Sequence, residues 1–467
     1  MSRSFGFLAT ALLLVVAVPG GAIAQGFSVN EHGSCVMGRG GTGVALPCND
    51  GSSVLFNPSG VAGTTGWTLS GGVTLIKATG SFTDDLTQQT TELQNEIVPV
   101  PHAYLTYGIN QQWAAGFGFF VPYGLGSEWP VSFDGRFLGY DNSLHSMYFQ
   151  PTVAWQPHPR IKLGAGFDFV VGSLKLTQRV DLSEFDTGAG LTFGQIGIPH
   201  HTDFANGELE ASGATGFGGN FGVTWVATDW LSIGARYMTR VKLDYEGTAV
   251  FDSVHTNIVL PPGNPLSVLQ GTPELPAPID LILLAADLYS PGQPLSEQDV
   301  NTSITMPDQG IIGFALKAST KVTLLFDLQW TNWSVFDTLI VQFEHQTDDR
   351  VMIEEYKDTY SLRFGLDAAV TQKLAVRGGY LYHNGASPPQ TVTPLLPEGN
   401  RNEFTVGLGY SFSPMFAVDL AYQYLKQNDR RGRTRDAIAG QPPTAELNNG
   451  LYTFQGHLIG GSLTVHF

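Results

Sequence analysis

The stretch GFSVNEHGSCVMGRGGTGVALPCNDGSSVLFNPSGVAG, Gly26 to Gly63, decides how the rest of the chain is read. No part of it alternates as a strand would, and none carries a clean helical period. Gly38, Gly40, Gly41 and Gly43 crowd its middle, and Asn57-Pro58-Ser59-Gly60 closes it. From about Trp67 onward the pattern changes to a long series of segments with period two. A compact, irregular, glycine-rich piece ahead of a closed sheet reads as a plug inside a barrel.

The composition fits that reading. Of 467 residues only 14% are Asp, Glu, Lys or Arg, against roughly 25% in average soluble proteins. Apolar residues reach 42%, so 56 glycines and uncharged polar residues stand in for the missing charge. That balance suits strands with one lipid face and one wet face. A formal net charge of −17 leaves no basic surface to neutralise phosphates, which argues against nucleic acid as a partner.

The first residues predict an address. Arg3, the apolar run from Phe5 to Val18 and the site Ala22-Ile23-Ala24 read as a signal peptide, 1–24, with the mature chain beginning at Gln25. The run is too short to span a bilayer, and no later run is long enough for a transmembrane helix. No cysteine stands directly after the cleavage site, so a lipoprotein is not expected. An exported, strand-rich chain of this kind belongs in the bacterial outer membrane. Cys35 and Cys48 are the only cysteines and both lie in the plug. A disulfide is the expected state in an oxidising compartment, since no third cysteine competes; two free thiols are the alternative.

Connections after the plug are asymmetric. Short turns fall at Asn110–Gln112, His158–Arg160, Thr228–Trp230, Ser319–Lys321, Thr371–Lys373 and Ser413–Met415. Long polar loops fall at Thr83–Ile97, Tyr123–Leu144, Asp181–Glu210, Phe251–Val300, His345–Met352, Asn384–Arg401 and Asp429–Gly450. Short turns at one end and long loops at the other are the periplasmic and extracellular ends of an outer-membrane barrel. They predict an all-β, 14-stranded antiparallel barrel over 66–467 with a hatch, 25–65, in its lumen. Its longest loops are 181–210 and 251–300.

Alternation assigns faces. Leu231, Ile233, Ala235, Tyr237, Val241, Leu243 and Tyr245 are expected to face lipid. Ser232, Gly234, Arg236, Arg240, Lys242 and Asp244 are expected to face the lumen. Tyr360, Leu362, Phe364 and Leu366 alternate with Ser361, Arg363, Gly365 and Asp367 in the same way. So do Phe416, Val418, Leu420, Tyr422 and Tyr424 with Ala417, Asp419, Ala421 and Gln423. A soluble β-sandwich is the competing fold; the signal peptide, strands of about ten residues and tyrosines at strand ends weigh against it.

Several blocks, in order, resemble the FadL-type outer-membrane transporters of long-chain fatty acids and aromatic hydrocarbons. Gly26-Phe27, Asn30-Glu31, Gly38-Arg39 and Asn57-Pro58-Ser59-Gly60 are similar to that family's hatch, whose usual Asn-Pro-Ala has serine in third place here. Phe326 to Ser334 resembles its ninth-strand tryptophan block. Ser361–Tyr382, Pro388, Pro389, Pro397 and Phe404–Phe412 resemble its last third. The alternating end at Phe467 is similar to the signature read by the barrel-assembly machinery. The resemblance implies capture of long hydrophobic molecules in an apolar extracellular groove, hatch movement and lateral exit into the membrane. Expected partners are hydrophobic small molecules, outer-membrane lipid and the assembly machinery, with the chain a monomer needing no cofactor.

Site residues follow from the same blocks. Gly116, Gly118 and Pro122-Tyr123-Gly124-Leu125-Gly126 are expected to kink the third strand inward. Asn57, Pro58 and Ser59 are expected to sit against that kink near Gly124 and, with Pro122 and Gly124, to gate it. Ile279–Leu288 is too apolar for an exposed loop, and Leu281, Leu283 and Leu284 are read as one wall of the groove. The resemblance carries a ligand carboxylate to Arg179 and Arg350, with Gln178 competing for the first position. Lumen Arg236, Arg240, Arg363 and Arg377 are alternatives, although pairing with lumen acids is their usual role.

Enzyme signatures are lacking. Gly38-Arg39-Gly40-Gly41-Thr42-Gly43 matches G-x-G-x-x-G without a strand before it. His200-His201 with Asp203 lies in a long loop without spaced metal ligands. His145-Ser146 would point to opposite faces of a strand. The rivals are the same barrel for monoaromatic hydrocarbons, a structural or secretion-partner barrel, and an outer-membrane hydrolase.

Overall fold

The computed structural model describes residues 26–467 apart from 86, 188–189, 270, 347–348 and 433–448; the expected signal peptide lies outside the described residues. Fourteen antiparallel strands close into a barrel. They are β1 (Trp67–Asp84), β2 (Val98–Gly108), β3 (Trp113–Glu128), β4 (Asp141–His158), β5 (Ile161–Asp181) and β6 (Asp203–Val226). Four strands come in two pieces each: β7 (Leu231–Met238, Val241–Ser253), β8 (Gln298–Met306, Gln309–Lys317), β9 (Val322–Thr331, Thr338–Phe343) and β10 (Arg350–Ile353, Thr359–Ala369). Then follow β11 (Leu374–His383), β12 (Arg401–Ser411), β13 (Phe416–Gln427) and β14 (Gly450–His466). The barrel closes where β14 pairs with β1, from Thr68 opposite His466 to Asp84 opposite Gly450.

The strands are longer than the expected ten residues. β5 has 21 and β6 has 24, whereas a membrane crossing needs only about 9–11. The surplus projects beyond the bilayer, and there the sequence reading of the faces fails. In lower β7, Tyr237 faces outward while Arg236 and Met238 are buried inward. Above the break at Thr239–Arg240 the phase reverses. Val241, Leu243 and Tyr245 are buried in the lumen, and Arg240, Lys242 and Asp244 point outward, 58%, 60% and 68% exposed. β8 reverses at Pro307–Asp308: Ile304 and Met306 face in above it, Ile312 and Leu316 face out below it.

The cause is a change of solvent on both sides. Low in the barrel, lipid lies outside and the polar hatch inside. Higher up, water lies outside and the lumen is apolar, lined by Leu209, Ala249, Val300 and Val341. An insertion that moves the pleat by one residue is what inverts a strand between these regimes. Asp308 ties the break together. It accepts hydrogen bonds from the Tyr237 hydroxyl (3.0 Å) and Asn332 Nδ2 (2.9 Å) and pairs with Arg240 Nε (3.3 Å).

The segment ahead of β1, expected from the sequence to be a hatch, is held against the barrel wall by specific bonds. Its helix α1 (Ser34–Gly38) packs on β12 and β13. Asp327 of β9 accepts from the backbone N–H groups of Gly43 (3.0 Å) and Val44 (3.3 Å). Arg39 pairs with Asp367 at 3.5 Å, and Arg377 holds the same carboxylate at 3.2 Å. Cys35 and Cys48 are joined in a disulfide across 13 positions, with Cα atoms 6.3 Å apart. Closing such a loop is worth about 3 kcal/mol in the chain-entropy model. Thiol labelling of denatured, unreduced protein is therefore expected to find no free thiol; two per chain would exclude this hatch structure.

Candidate ligand pocket and wall gap

The barrel wall is open between β2 and β3. Their ladder runs only from Ala103 opposite Phe119 to Gly108 opposite Ala114, although β2 begins at Val98 and β3 continues to Glu128. On its other side β3 shifts register against β4: Phe120 faces Tyr148, Tyr123 faces Ser146, and Val121 with Pro122 bulge between them. Pro122 brings no N–H to the bulge, which suits a position that leaves the ladder.

The backbone groups freed by this kink find other partners, as buried ones must. Pro122 O accepts from Val29 N (2.8 Å), and Gly124 N donates to Phe27 O (3.0 Å). The first hatch residues thus take the place of β2 on the kinked part of β3. Ser146 Oγ donates to Tyr123 O at 2.9 Å, so this hydroxyl is a structural partner of the kink, not a nucleophile. On β2, Pro99 and Pro101 pair with β1 opposite Leu75 and Val73. A proline stays in a ladder only when its nitrogen faces away from the partner. Both nitrogens therefore face the gap, where two N–H donors would otherwise hang unpaired.

A cavity of about 530 Å³ passes through this opening. Lumen-facing Val100, Leu125, Leu425 and Leu458 line it, and so do the outward-facing residues Pro99, Pro101, Phe119, His145 and Met147. A smaller apolar cavity of about 70 Å³ lies between Leu144, Leu174, Leu209, Leu339 and Met352. Phe27 lines both. Its ring meets Trp333 edge-on at 4.6 Å, Phe336 at 5.6 Å and Tyr123 at 6.4 Å.

The loop before β12 dips into the barrel and reaches the hatch. Glu398 Oε1 accepts from Gly26 N, while its Oε2 accepts from Ala386 N (2.8 Å) and Ser387 N (3.0 Å). Burial pushes the Glu398 carboxyl above its ordinary pKa, opposed by Arg401 and these three N–H donors. Arg401 Nη2 donates to Gly26 O at 3.5 Å.

The expected residues are placed unevenly. Pro122 and Gly124 sit at the kink, as expected. Asn57, Pro58 and Ser59 do not. They lie near the periplasmic rim against β5 and β6, because the hatch there runs down to enter β1. Asn57 Nδ2 donates to Val44 O (2.6 Å), Val223 O (3.2 Å) and Thr224 Oγ1 (3.2 Å). Its Oδ1 caps the turn Pro58–Val61 through Ser59 N, and Ser59 Oγ bonds Thr224 at 2.7 Å. Arg179 is held 3.9 Å from Asp203, and neither it nor Arg350 lines the two cavities. Of the lumen alternatives Arg240 points outward, and Arg363 and Arg377 are engaged with the hatch and with Asp367 and Asp419. The leucine cluster splits. Leu283 is buried against a loop core with Leu182, Phe193, Phe204 and Leu266, whereas Leu281 and Leu284 are 62% and 76% exposed. His200 bonds Ser183, and His201 meets Asp134 at 3.1 Å.

Phe27 and Trp333 stand within two of the blocks that resemble the family, whereas Glu398 and Arg401 carry no pattern that singles them out in sequence. Val98-Pro99-Val100-Pro101 does: two alternating prolines in a strand announce an unpaired edge.

The family model described as "Outer membrane protein transport protein (OMPP1/FadL/TodX)" matches residues 15–467. The chain belongs to this family. It is 23% identical to outer membrane protein P1 of Haemophilus influenzae over 98% of each chain. It is 22% identical to the long-chain fatty acid transport protein of Escherichia coli, covering 91% of this chain and 92% of that one. Its fold superposes on a Pseudomonas aeruginosa FadL homologue with a TM-score of 0.78 at 20% identity, covering 95% and 100% of the two chains. For the toluene transporter TodX of Pseudomonas putida the TM-score is 0.65 at 18% identity, covering 95% and 100%. The chain is thus an outer-membrane transport protein of the FadL/TodX type rather than an enzyme.

Proposed function

We propose that the barrel takes up long-chain fatty acids or similar hydrophobic molecules and releases them sideways through the opening between β2 and β3. The observation that carries this is the cavity lined by both lumen-facing and outward-facing residues. Its volume falls within the range of small-molecule sites, about 300–1,000 Å³. An apolar chain gains by passing from there into lipid without crossing water. The hatch residues Phe27–Val29 stand in the path and are the gate. The signal peptide, residues 1–24, and the hatch, residues 25–65, belong to the same proposal. A monoaromatic ligand is the second reading, favoured by the aromatic rings that surround Phe27. Competition of toluene against oleate for the purified barrel separates the two.

Capture begins at Leu281 and Leu284, the exposed face of the short helix Ile279–Ala285. Replacing both by serine removes apolar surface worth about 1.5–3 kcal/mol per residue if a ligand buries it fully. The double variant is expected to lower oleate uptake several-fold at low ligand concentration in a fully assembled barrel. Leu283→Ala should instead loosen the loop core. Unchanged uptake by the double variant would place first capture elsewhere.

A further inference from the structure

Resting on the uptake reading above, we propose that the wall has a second side entrance, between β8 and β9. Through it a single unbranched alkyl chain enters from the outer headgroup layer, with Phe336 as the door. The ladder of these two strands is interrupted. Below the break it runs from Gln309 opposite Thr331 to Lys317 opposite Thr323. Above the break it holds only from Val300 opposite Phe343 to Thr302 opposite Val341. In between, Ser303–Met306 keep their pairing with β7, from Asp244 to Val241, and among the described residues share no ladder with β9. Asn332 N donates to Asp308 O (2.9 Å) at the lower edge of the break, and Thr302 Oγ1 donates to Ile340 O (2.7 Å) at the upper edge. The upper pieces of β9 and β10 pair with each other, Thr338 opposite Ile353 to Val341 opposite Arg350. Three ladder pairs join this hairpin to β8, and among the described residues none joins it to β11, whose pairing with β10 starts at Ser361. An element held by so few ladder bonds is among the first to open.

What lies on each side of the break fixes the chemistry of the ligand. Behind it is the smaller apolar cavity, lined by Ile304 from β8 and by Phe336, Leu339 and Val341 from β9. At about 70 Å³ this cavity has less than half of the roughly 150 Å³ that holds a benzene ring, so a slender chain fits where a ring does not. In front of the break Ile340, Val351 and Ile353 face outward and are exposed, whereas on its other flank β7 presents Arg240, Lys242 and Asp244. Apolar side chains offered to water beside a passage to an apolar cavity are a landing surface for an alkyl chain. The outward residues Leu328, Tyr360 and Leu362 of the lipid-facing band lie below the break. The entrance therefore stands at headgroup level, where a chain has not yet reached hydrocarbon. Phe336 stands half-buried in the break, its ring edge-on to Phe27 at 5.6 Å and to Tyr356 at 5.0 Å. Turning this one ring aside joins the landing surface to the cavity. Phe27 lines that cavity and the large one, so a chain that enters here is led on towards the β2–β3 opening.

A disulfide staple across the break tests this. Ser303 and Ile340 would be the next opposed pair after Thr302 and Val341, and both are exposed. In cells carrying Ser303→Cys with Ile340→Cys, uptake of palmitate supplied on albumin is expected to fall about fivefold or more when the staple is oxidised. Reduction should restore it. Thiol labelling reports the closed staple, heat-modifiable migration reports the folded barrel, and the native chain under the same reductant controls for Cys35–Cys48. Undiminished palmitate uptake through a closed staple would overturn the β8–β9 entrance and leave the uptake reading standing. No palmitate uptake by the native chain would overturn both. A fall in toluene uptake on closing the staple would overturn the restriction to chains. If the staple does not close, Phe336→Ala gives the second measurement. Removing the door should raise palmitate uptake about twofold or more, and an unchanged or lower rate in a folded barrel would contradict the proposal.

Discussion

Gly124→Trp is expected to cut hydrophobic-substrate uptake roughly tenfold or more, which an added barrier of only about 1.4 kcal/mol produces. Gly124 lines the cavity at the kink, and a Cβ there would meet only Leu144 O at 3.6 Å and Val29 Cγ2 at 3.8 Å. The backbone therefore accepts a side chain, and the indole must project into the opening. Assembly should survive, because β3 keeps its ladders with β2 below Phe119 and with β4 along its length. Uptake is measured in cells, with heat-modifiable migration of the barrel as the folding control. Normal uptake by a folded variant would reject the sideways route.

The second large effect is expected at the opposite end of the hatch. Gly164→Leu places a Cβ where it would overlap the Pro58 carbonyl carbon, and backbone cannot yield as a flexible side chain can. Gly222 plays the matching part beneath Asn57. Pushing this turn off β5 and β6 breaks the two hydrogen bonds of Asn57 Nδ2 to β6, to Val223 O and Thr224 Oγ1, worth about 1 kcal/mol each. The barrel itself is closed by β1 and β14 and should still form. In planar bilayers the variant should then pass ions that the native barrel holds back. Conductance no greater than native would show that Asn57-Pro58-Ser59 does not seat the hatch.

These two glycines mark what a sequence can reveal here. Strand number and the two kinds of connection were legible, because a two-residue period and turn lengths follow directly from barrel geometry. That Gly26–Gly63 forms none of the barrel strands was legible because it lacks either period. The inversion of β7 was not. Leu231 to Tyr237 and Val241 to Tyr245 occupy one odd-numbered set, and alternation alone gives no sign that Thr239–Arg240 turns the second group inward. Asp308, which ties that break, is distant in sequence from all of them. Asn57 was misplaced for a similar reason: its motif was visible, but which wall strands it meets depends on how the hatch descends to β1. Pro122 and Gly124 were found because their backbone chemistry is local. The Glu398–Gly26–Arg401 clasp joins residues more than 370 positions apart, and no local pattern encodes it.

The central claim, exit through the wall, is tested most directly by where a passing ligand touches the protein. Cells carrying the native chain are given a fatty acid with a photoreactive group at its methyl end and are irradiated during uptake. The labelled peptides are then identified by mass spectrometry. Label on Pro99–Pro101, Phe119 and Met147, on the β2–β3 opening, is the predicted result. Label concentrated instead on the periplasmic vestibule, at Lys373, Ser411 and His466, would contradict the account and place the path along the barrel axis.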